Sequence, residues 1–214
     1  MKIAEISIIG AGSLGSFTVQ IMAKMHPAWQ CPISVWDFDK VEGHNIANQL
    51  YGRGDIGHSK VTALSEIIKK LDGPDLRIID SAVDENTDLR GLVIVAVDTM
   101  LVRKKVMDIC KFNWGIDYLI EARMGGHIGK VFALDPKHPE AVSRYNQYLH
   151  DDKDAANPLC ATNETIPALW IVASSIAHLV LLYQRAIFLK NNFIETTIDL
   201  TDHPIVNSDA YALI

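Results

Sequence analysis

A glycine-rich turn near the N-terminus is the first segment that could do chemistry. Residues 10–15 read GAGSLG and lie between an apolar, strand-like segment and a helix-like one. Gly10 would allow the turn, Gly12 would let the backbone approach a phosphate, and Gly15 would let the helix pack on the strand. A phosphate bound there lies at the positive end of the helix. The turn predicts nucleotide binding, and a tight turn without a ligand is the alternative interpretation. The predicted contacts are Gly10, Gly12, Ser13, Leu14 and Gly15.

Polar side chains follow this turn at a spacing that suits a nucleotide. Asp37 stands 22 residues after Gly15, at the end of the second predicted strand, where a carboxylate accepts hydrogen bonds from ribose hydroxyls. That position suits NAD as well as ATP. NAD binding leaves unexplained the polar residues that come next, which are Asp39, Asn45, Gln49 and Lys60. We therefore expect a nucleotide whose phosphates take part in the reaction.

Two charged residues further along the chain could act on such phosphates. Lys60 follows Gly57 near the start of a predicted helix and could contact a phosphate as a point charge. Asp98 ends a later apolar strand and could hold a Mg²⁺ ion that bridges phosphate oxygens. Taken singly, each residue also fits a structural role: Lys60 as a solvated lysine of a helix, and Asp98 as the N-terminal cap of the helix that follows it.

The elements that position these residues follow from the apolar pattern. Apolar and β-branched runs predict strands at 3–9, 33–36, 76–79, 91–97, 118–121, 127–134 and 194–200. Helical patterns are expected from about residue 13 to Pro27, and at 58–71, 101–112, 140–149 and 166–189. This alternation predicts a Rossmann-like, doubly wound α/β fold, with a mainly parallel sheet and an antiparallel C-terminal section. We expect one domain over residues 1–214, with 38–57 as a long functional loop.

Composition limits the possible partners and the location. The chain has 214 residues and a net charge of −6, which argues against general affinity for nucleic acid or for an anionic membrane. The first residues lack the basic leader of a signal peptide, so we expect a cytoplasmic protein. The apolar segment 166–189 is long enough to span a membrane. Polar residues interrupt it and favour a buried helix; they are Ser174, Ser175, His178, Gln184 and Arg185.

Three cysteines, Cys31, Cys110 and Cys160, are far apart in the sequence and odd in number. This pattern favours free thiols in a reducing compartment. Cys160 could be a thioester-forming nucleophile, but no basic residue lies within several positions to lower its pKa. A buried structural thiol is the favoured interpretation.

Taken together, the motifs resemble the ThiF/MoeB/HesA superfamily, the adenylation domains of ubiquitin-activating enzymes. The resemblance covers most of residues 3–135. The motifs that carry it are the turn at 10–15, DFDKV at 37–41, NIANQ at 45–49, GHSK at 57–60, and Asp98 followed by Arg103. Cys160 and the apolar helix after it resemble the C-terminal part of the family less specifically.

The resemblance implies an ATP- and Mg²⁺-dependent adenylyltransferase. Its substrate would be the C-terminal carboxylate of a ubiquitin-like or small peptide partner, converted to an acyl adenylate with release of pyrophosphate. It also implies that Asp37 binds ribose, that Asn45 and Gln49 contact the nucleotide, that Lys60 contacts phosphate, and that Asp98 is the metal ligand. A homodimer is expected from the resemblance and from the apolar segment 166–189.

This chain departs from the family at two places. Asn48 stands among the nucleotide-contacting positions where the family usually has arginine, and we expect the N-terminal extension that supplies a second arginine across the dimer to be missing. Arg53 and Arg123 are the candidate catalytic replacements, and a salt bridge is the alternative for each. The departures suggest a second hypothesis, a catalytically impaired scaffold. The glycine turn and Asp37 permit a third, an NAD-dependent oxidoreductase, which leaves Asn45, Gln49 and Lys60 unexplained.

Overall fold

A computed structural model describes residues 2–151, 162–186 and 192–211. Within these ranges eight strands form a single mixed sheet. They are β1 (Ile6–Ile9), β2 (Ile33–Trp36), β3 (Arg77–Ile79), β4 (Gly91–Val95), β5 (Ile116–Gly125), β6 (Ile128–Leu134), β7 (Phe193–Asp199) and β8 (Ile205–Tyr211). Their spatial order is β3-β2-β1-β4-β5-β6-β7-β8.

The first five strands are parallel and the last three add to the sheet antiparallel. In β1, Ile6 lies opposite Ile33 of β2 on one side and opposite Leu92 of β4 on the other. The chain runs outward from β1 to β2 and β3, and later returns to β4 and β5 on the other side. The carboxyl ends of β1 and β4 therefore form the point where the strand order reverses, which is where ligands bind in doubly wound folds. The predicted fold class is confirmed.

Helices cover both faces of this sheet. The described helices are α1 (Ser13–Lys24), α2 (His26–Trp29), α3 (Lys60–Lys70), α4 (Met100–Phe112), α5 (Pro139–Asn146) and α6 (Ile166–Gln184). Short 3₁₀ turns occur at Gly43–Ala47, Arg53–Asp55 and Asn163–Thr165. Buried side chains of α1, α3 and α6 pack on one face, and those of α4 and α5 pack on the other.

The two-sided cover explains why the central strands are apolar throughout. All five residues of β4 are buried. Leu92 and Ile94 pack with α1 and α6, whereas Val93 and Val95 pack with α4. Since successive side chains of a strand point to opposite faces, only a continuous apolar run can satisfy both faces.

The long apolar helix α6 is a core helix in this fold. It packs on α1 and on the sheet, and half of its most apolar window is buried. By length and composition it could also cross a membrane. Its outer side carries Trp170, whose ring meets that of Phe17 edge-on at 5.0 Å. Residues 187–189 of the predicted helix lie outside the described ranges.

The structure adds elements that the sequence analysis did not predict. Strand β8 was missed because its residues 205–210 are all exposed, so no apolar alternation marks it. The 38–57 loop contains two of the 3₁₀ turns. Strand β5 begins at Ile116 and is longer than predicted, and α3 begins at Lys60 rather than His58.

Candidate active site

The three glycines of the turn have different surroundings. Gly10 has a φ of +98°, and a Cβ there would lie 2.5 Å from the Ala96 carbonyl oxygen. A Cβ on Gly15 would lie 2.0 Å from the Gly10 carbonyl oxygen. Both positions thus require glycine for close packing. A Cβ on Gly12 would meet no atom within 4 Å, so the backbone at Gly12 borders open space at the start of α1.

The N-terminus of α1 is available to a ligand. Gly12 occupies the cap position and no side chain caps the helix. The amide groups of a first helical turn lack intrahelical acceptors and point along the positive end of the helix. A phosphate over Gly12 would therefore meet donors without a clash from a side chain.

Hydrogen bonds on both sides of the Ala11 residue hold the turn in place. The Ala11 amide donates to Asp37 Oδ2 at 2.6 Å, and the Ala11 carbonyl accepts from the Tyr51 hydroxyl at 2.6 Å. Burial raises the pKa of Tyr51, so the phenol stays protonated and remains a donor. The sequence analysis missed Tyr51, because a single aromatic residue in an aperiodic loop carries no signal of its contact.

Asp37 lies at the end of β2, as predicted. Burial raises the pKa of its carboxyl group, and hydrogen bonds from the amides of Ala11 and Asp39 oppose that rise. The Asp39 amide donates to Oδ1 at 2.8 Å. Each carboxylate oxygen accepts more than one hydrogen bond, so these contacts leave capacity for ribose hydroxyls. Ribose binding by Asp37 remains a prediction.

Lys60 and Asp39 form an ion pair beside this region. Lys60 Nζ lies 2.8 Å from Asp39 Oδ2, and the Lys60 amide donates to the Asp39 carbonyl at 2.9 Å. The lysine side chain is 9% exposed, whereas the aspartate side chain is 51% exposed. The ammonium group is thus confined, while its partner can turn toward water.

The predicted amide side chains lie in the loop that follows. Asn45 is buried, and its Oδ1 accepts from the Glu42 amide at 2.8 Å. Asn48 is also buried. Gln49 Oε1 is buried without a hydrogen-bond partner among the described residues. The Leu50 amide donates to Ser16 Oγ of α1 at 3.3 Å, which ties this loop to the glycine turn.

Asp98 is exposed on the segment between β4 and α4. The turn at Gly10 packs against Ala96, two residues before Asp98, so the ends of β1 and β4 are adjacent. Arg103 of α4 holds this segment, donating to the carbonyl oxygens of Val97 and of Asp98, the latter at 3.3 Å. The side chain of Asp98 is therefore free to bind a ligand while its backbone is fixed.

The described residues include no group of three or more His, Cys, Asp or Glu side chains placed to hold a metal. Mg²⁺ is commonly bound through one or two carboxylates together with substrate phosphates. A single exposed Asp98, two residues from the Ala96 that packs on the glycine turn, fits that donor set. The metal role of Asp98 remains a prediction.

The sequence analysis did not predict a buried ionic cluster that is centred on Glu121, near the middle of β5. We call it the Glu121 cluster; it consists of Arg103, Glu121, Arg123 and Tyr145. Glu121 is fully buried, with Arg103 Nε 2.8 Å from Oε1, although that N–H is not well directed for a hydrogen bond. Arg123 Nε donates to Oε2 at 3.1 Å, and the Tyr145 hydroxyl lies 3.3 Å from the same oxygen.

The two candidate replacement arginines have contrasting surroundings. Arg53 is exposed, two residues after Tyr51, and has no hydrogen bond or ion pair with other described residues. Arg123 binds Glu121, donates to the Tyr148 carbonyl at 2.9 Å, and lies 5.0 Å from the centre of the Phe132 ring. The salt-bridge alternative therefore describes the present contacts of Arg123, and a catalytic role for either arginine remains a prediction.

The described thiols are both free and buried. They are Cys31 and Cys110. Burial raises the pKa of Cys31 to about 11 and that of Cys110 to about 12, so both are poor nucleophiles at neutral pH. Cys160, the candidate thioester residue, lies outside the described residues.

The chain is similar in fold to several solved structures. PaaA matches with a TM-score of 0.71 and 16% identity, over 100% of this chain and 65% of PaaA. MccB of E. coli matches with a TM-score of 0.73 and 17% identity, over 100% of this chain and 63% of MccB. TcdA (CsdL) matches with a TM-score of 0.60 and 19% identity, over 86% of this chain and 88% of TcdA. The chain thus spans less than two thirds of PaaA and of MccB.

Structures of MccB have been solved with ATP, and with AMPCPP together with MccA. No curated protein sequence matches the chain significantly. The model of the ThiF family matches residues 1–198. Since that match includes the glycine turn, Lys60, Asp98 and all strands except β8, nearly the whole chain is accounted for, and the chain belongs to the ThiF family.

Proposed function

We propose that the protein is an adenylyltransferase that uses ATP to activate the C-terminal carboxylate of a small peptide or ubiquitin-like partner. A carboxylate oxygen of the partner would form a bond to the α-phosphorus of ATP, and the bond from that phosphorus to pyrophosphate would break. The products are an acyl adenylate and pyrophosphate. Membership of the ThiF family supports ATP rather than a nicotinamide dinucleotide.

One observation carries the proposal. At the reversal point of the sheet, the backbone at Gly12 borders open space, although Gly10 and Gly15 are closely packed. A turn built only for tight packing has no need of a glycine whose Cβ would meet nothing. The open backbone at a helix N-terminus is suited to phosphate.

Charged residues beside this space support a reaction at the phosphates. Lys60 could exchange its exposed partner Asp39 for a phosphate oxygen, because the ammonium group is already confined and loses little freedom. Asp98 would hold Mg²⁺, and the bound ion would neutralise charge on the phosphates. Such groups accelerate the reaction by stabilising charge that develops in the transition state.

A small peptide is the favoured partner class. The similar protein MccB was solved with MccA and the nucleotide analogue AMPCPP in one structure, which supports a site that takes a nucleotide and a second substrate together. The identity of the partner, its later fate and a cytoplasmic location are predictions from sequence and family.

Exchange of labelled pyrophosphate into ATP tests the proposal. Purified protein would be incubated with Mg²⁺ and a set of short peptides that have free C-terminal carboxylates, with the same peptides amidated as the control. We expect exchange only with free carboxylates. We also expect Asp98→Asn to abolish exchange and the exposed Asp75→Asn to leave it unchanged.

The second candidate function is a scaffold without catalysis. It is favoured by the burial of Asn48 in place of the family arginine and by the engagement of Arg123 with Glu121. Binding of ATP measured by calorimetry separates the two functions. Binding without exchange for any partner supports the scaffold, and absence of ATP binding overturns the adenylyltransferase.

A further inference from the structure

We infer that the outer edge of β8 binds an extended, basic segment of another protein, which adds to the sheet as a further strand. β8 is last in the spatial order, so no other described strand pairs with its outer side. Residues 205–210 are all exposed, so no described helix or loop covers them. Alternate N–H and C=O groups of an edge strand lack partners within the sheet. This inference does not depend on nucleotide chemistry.

The two edges of the sheet differ in how well they resist pairing with another chain. β3, at the opposite edge, has three residues, one of which is Arg77. Short length and charged side chains protect an edge strand from pairing. β8 has seven residues, includes no proline or lysine, and pairs with β7 in unbroken register along its whole length. A strand of this length and regularity can template the pairing of a further strand.

The charge of the β8 edge indicates what kind of segment it takes. From residue 193 to residue 214 the sequence contains no lysine or arginine, and its acidic residues are Glu195, Asp199, Asp202 and Asp209. Among the described residues only Glu195 of these four has an ion pair, with Lys130. Like charges that face each other across strands are destabilising. The edge therefore repels the same edge of a second copy and attracts a basic segment.

Asp209 is the acidic residue best placed to contact an added strand. It lies directly opposite Glu195, which makes a pair of like charges. Lys130 Nζ lies 2.7 Å from Glu195 Oε1, and the Tyr148 hydroxyl donates to Oε2 at 2.6 Å. Glu195 is thus satisfied from the inner side, whereas Asp209 is exposed at the edge. A lysine or arginine opposite Asp209 on an added strand would supply the cation that this pair lacks.

A second position on the same face of β8 narrows the partner further. Ile205 and Asp209 are four residues apart, so their side chains point to the same face of the strand. Ile205 is 50% exposed and can pack against an apolar side chain on the added strand. The expected segment therefore has a basic and a β-branched apolar residue four positions apart. Backbone hydrogen bonds would provide affinity, and these two side chains would provide specificity.

Binding of labelled peptides to the purified protein tests the inference. The probes are threonine-rich peptides as long as β8, with lysine and isoleucine four positions apart in either order. One matched set has glutamate in place of lysine, and another is N-methylated at alternate backbone amides. By fluorescence anisotropy we expect the lysine peptides to bind, the glutamate peptides to bind about tenfold more weakly, and the N-methylated peptides not to bind. The lysine peptides should also slow hydrogen exchange of the β8 amides.

Charge reversal at Asp209 tests the assigned contact. Asp209→Lys should weaken binding of the lysine peptides by about tenfold and strengthen binding of the glutamate peptides. The variant should not lower the melting temperature, because a lysine opposite Glu195 replaces a pair of like charges with a pair of opposite charges. Asp75→Lys is the matched control, at an exposed residue two positions before β3, and should leave binding unchanged.

Several results overturn the inference. One is the absence of binding by any lysine peptide at roughly 1 mM, a concentration that reveals even weak complexes. Equal binding of the N-methylated peptides is another, because it would show attraction of charges without addition of a strand. Binding that tolerates Asp209→Lys overturns the inference too. So does self-association that slows exchange of the β8 amides without any peptide, because a second copy would then occupy the edge.

Discussion

Two groups of charged residues, one that follows β2 and one within β5, differ in what surrounds their carboxylates. In the pair of Lys60 and Asp39 the cation is confined but the carboxylate is half exposed. In the Glu121 cluster the carboxylate is fully buried between Arg103 and Arg123. A carboxylate that water can solvate is able to release its cation to a substrate. A buried carboxylate cannot, since it would be left without a partner in a medium of low dielectric.

The comparison indicates a division of labour along the sheet. Near β1 and β2, Lys60 and Asp39 can change their partners. Near β5, the charged side chains of the Glu121 cluster hold the backbone in place. Arg103 joins the two sides, since it contacts Glu121 and also holds the carbonyl oxygen of Asp98. Five variants test this division, in four experiments ordered by the size of the expected effect.

The largest effect is expected from Glu121→Gln. Two arginines would then remain buried without a countercharge, so we expect a loss of about 3–5 kcal/mol in the free energy of unfolding. Urea denaturation followed by circular dichroism measures it. Glu66→Gln is the matched control, because Glu66 pairs with Lys69 on the surface of α3. The control should change by less than about 1 kcal/mol, and an equally small change for Glu121→Gln would refute a structural role for the cluster.

The second effect concerns catalysis rather than folding. Lys60→Met keeps most of the apolar stem but removes the ammonium group, and leaves Asp39 half exposed to water. We expect pyrophosphate exchange to fall by about 10²–10³, with a much smaller loss of stability than in Glu121→Gln. Lys70→Met is the control on the same helix. If stability falls and exchange does not, Lys60 belongs with the structural pairs.

Arg53→Met and Arg123→Met sharpen the contrast between the two candidate arginines. Arg53 is exposed and has no described partner, so its loss should lower exchange by about tenfold through one lost charged contact, without altering stability. Arg123→Met should instead lower stability, because Glu121 loses a buried partner. Exchange assays and urea denaturation on both variants separate the roles. The reverse pattern would make Arg123 the phosphate-directed cation.

The smallest effect is expected from Tyr51→Phe. The variant removes the hydroxyl that donates to Ala11 and costs about 1 kcal/mol, which should appear as a severalfold weaker affinity for ATP. Calorimetric titration with ATP measures the affinity. Tyr183→Phe in α6 is the control, because that tyrosine packs against Tyr118 away from the turn. Equal affinities in both variants would show that the turn holds its shape without Tyr51.

Much of the fold was predictable because the signals were local. The glycine turn, the apolar runs of β1 and β4, and the position of Asp37 at the end of β2 were all expected from neighbouring residues. Strand β8 was not, since its exposed residues follow no alternation. The contacts of Tyr51 and Glu121 were not expected either. Tyr51 binds Ala11, which lies 40 residues earlier, and Glu121 pairs with Arg103, which lies on another element, α4.

The sequence by itself determined the order of strands β1 to β7, the nucleotide-type turn and the chemical types at the candidate site. Those features depend on backbone preferences and on the period of apolar residues, which act over a few positions. Only the tertiary structure decided that Lys60 faces an exposed carboxylate and that Arg123 faces a buried one. Burial sets how strongly two charges interact and how costly it is to separate them. Burial depends on residues that are distant in sequence and meet only in the folded protein.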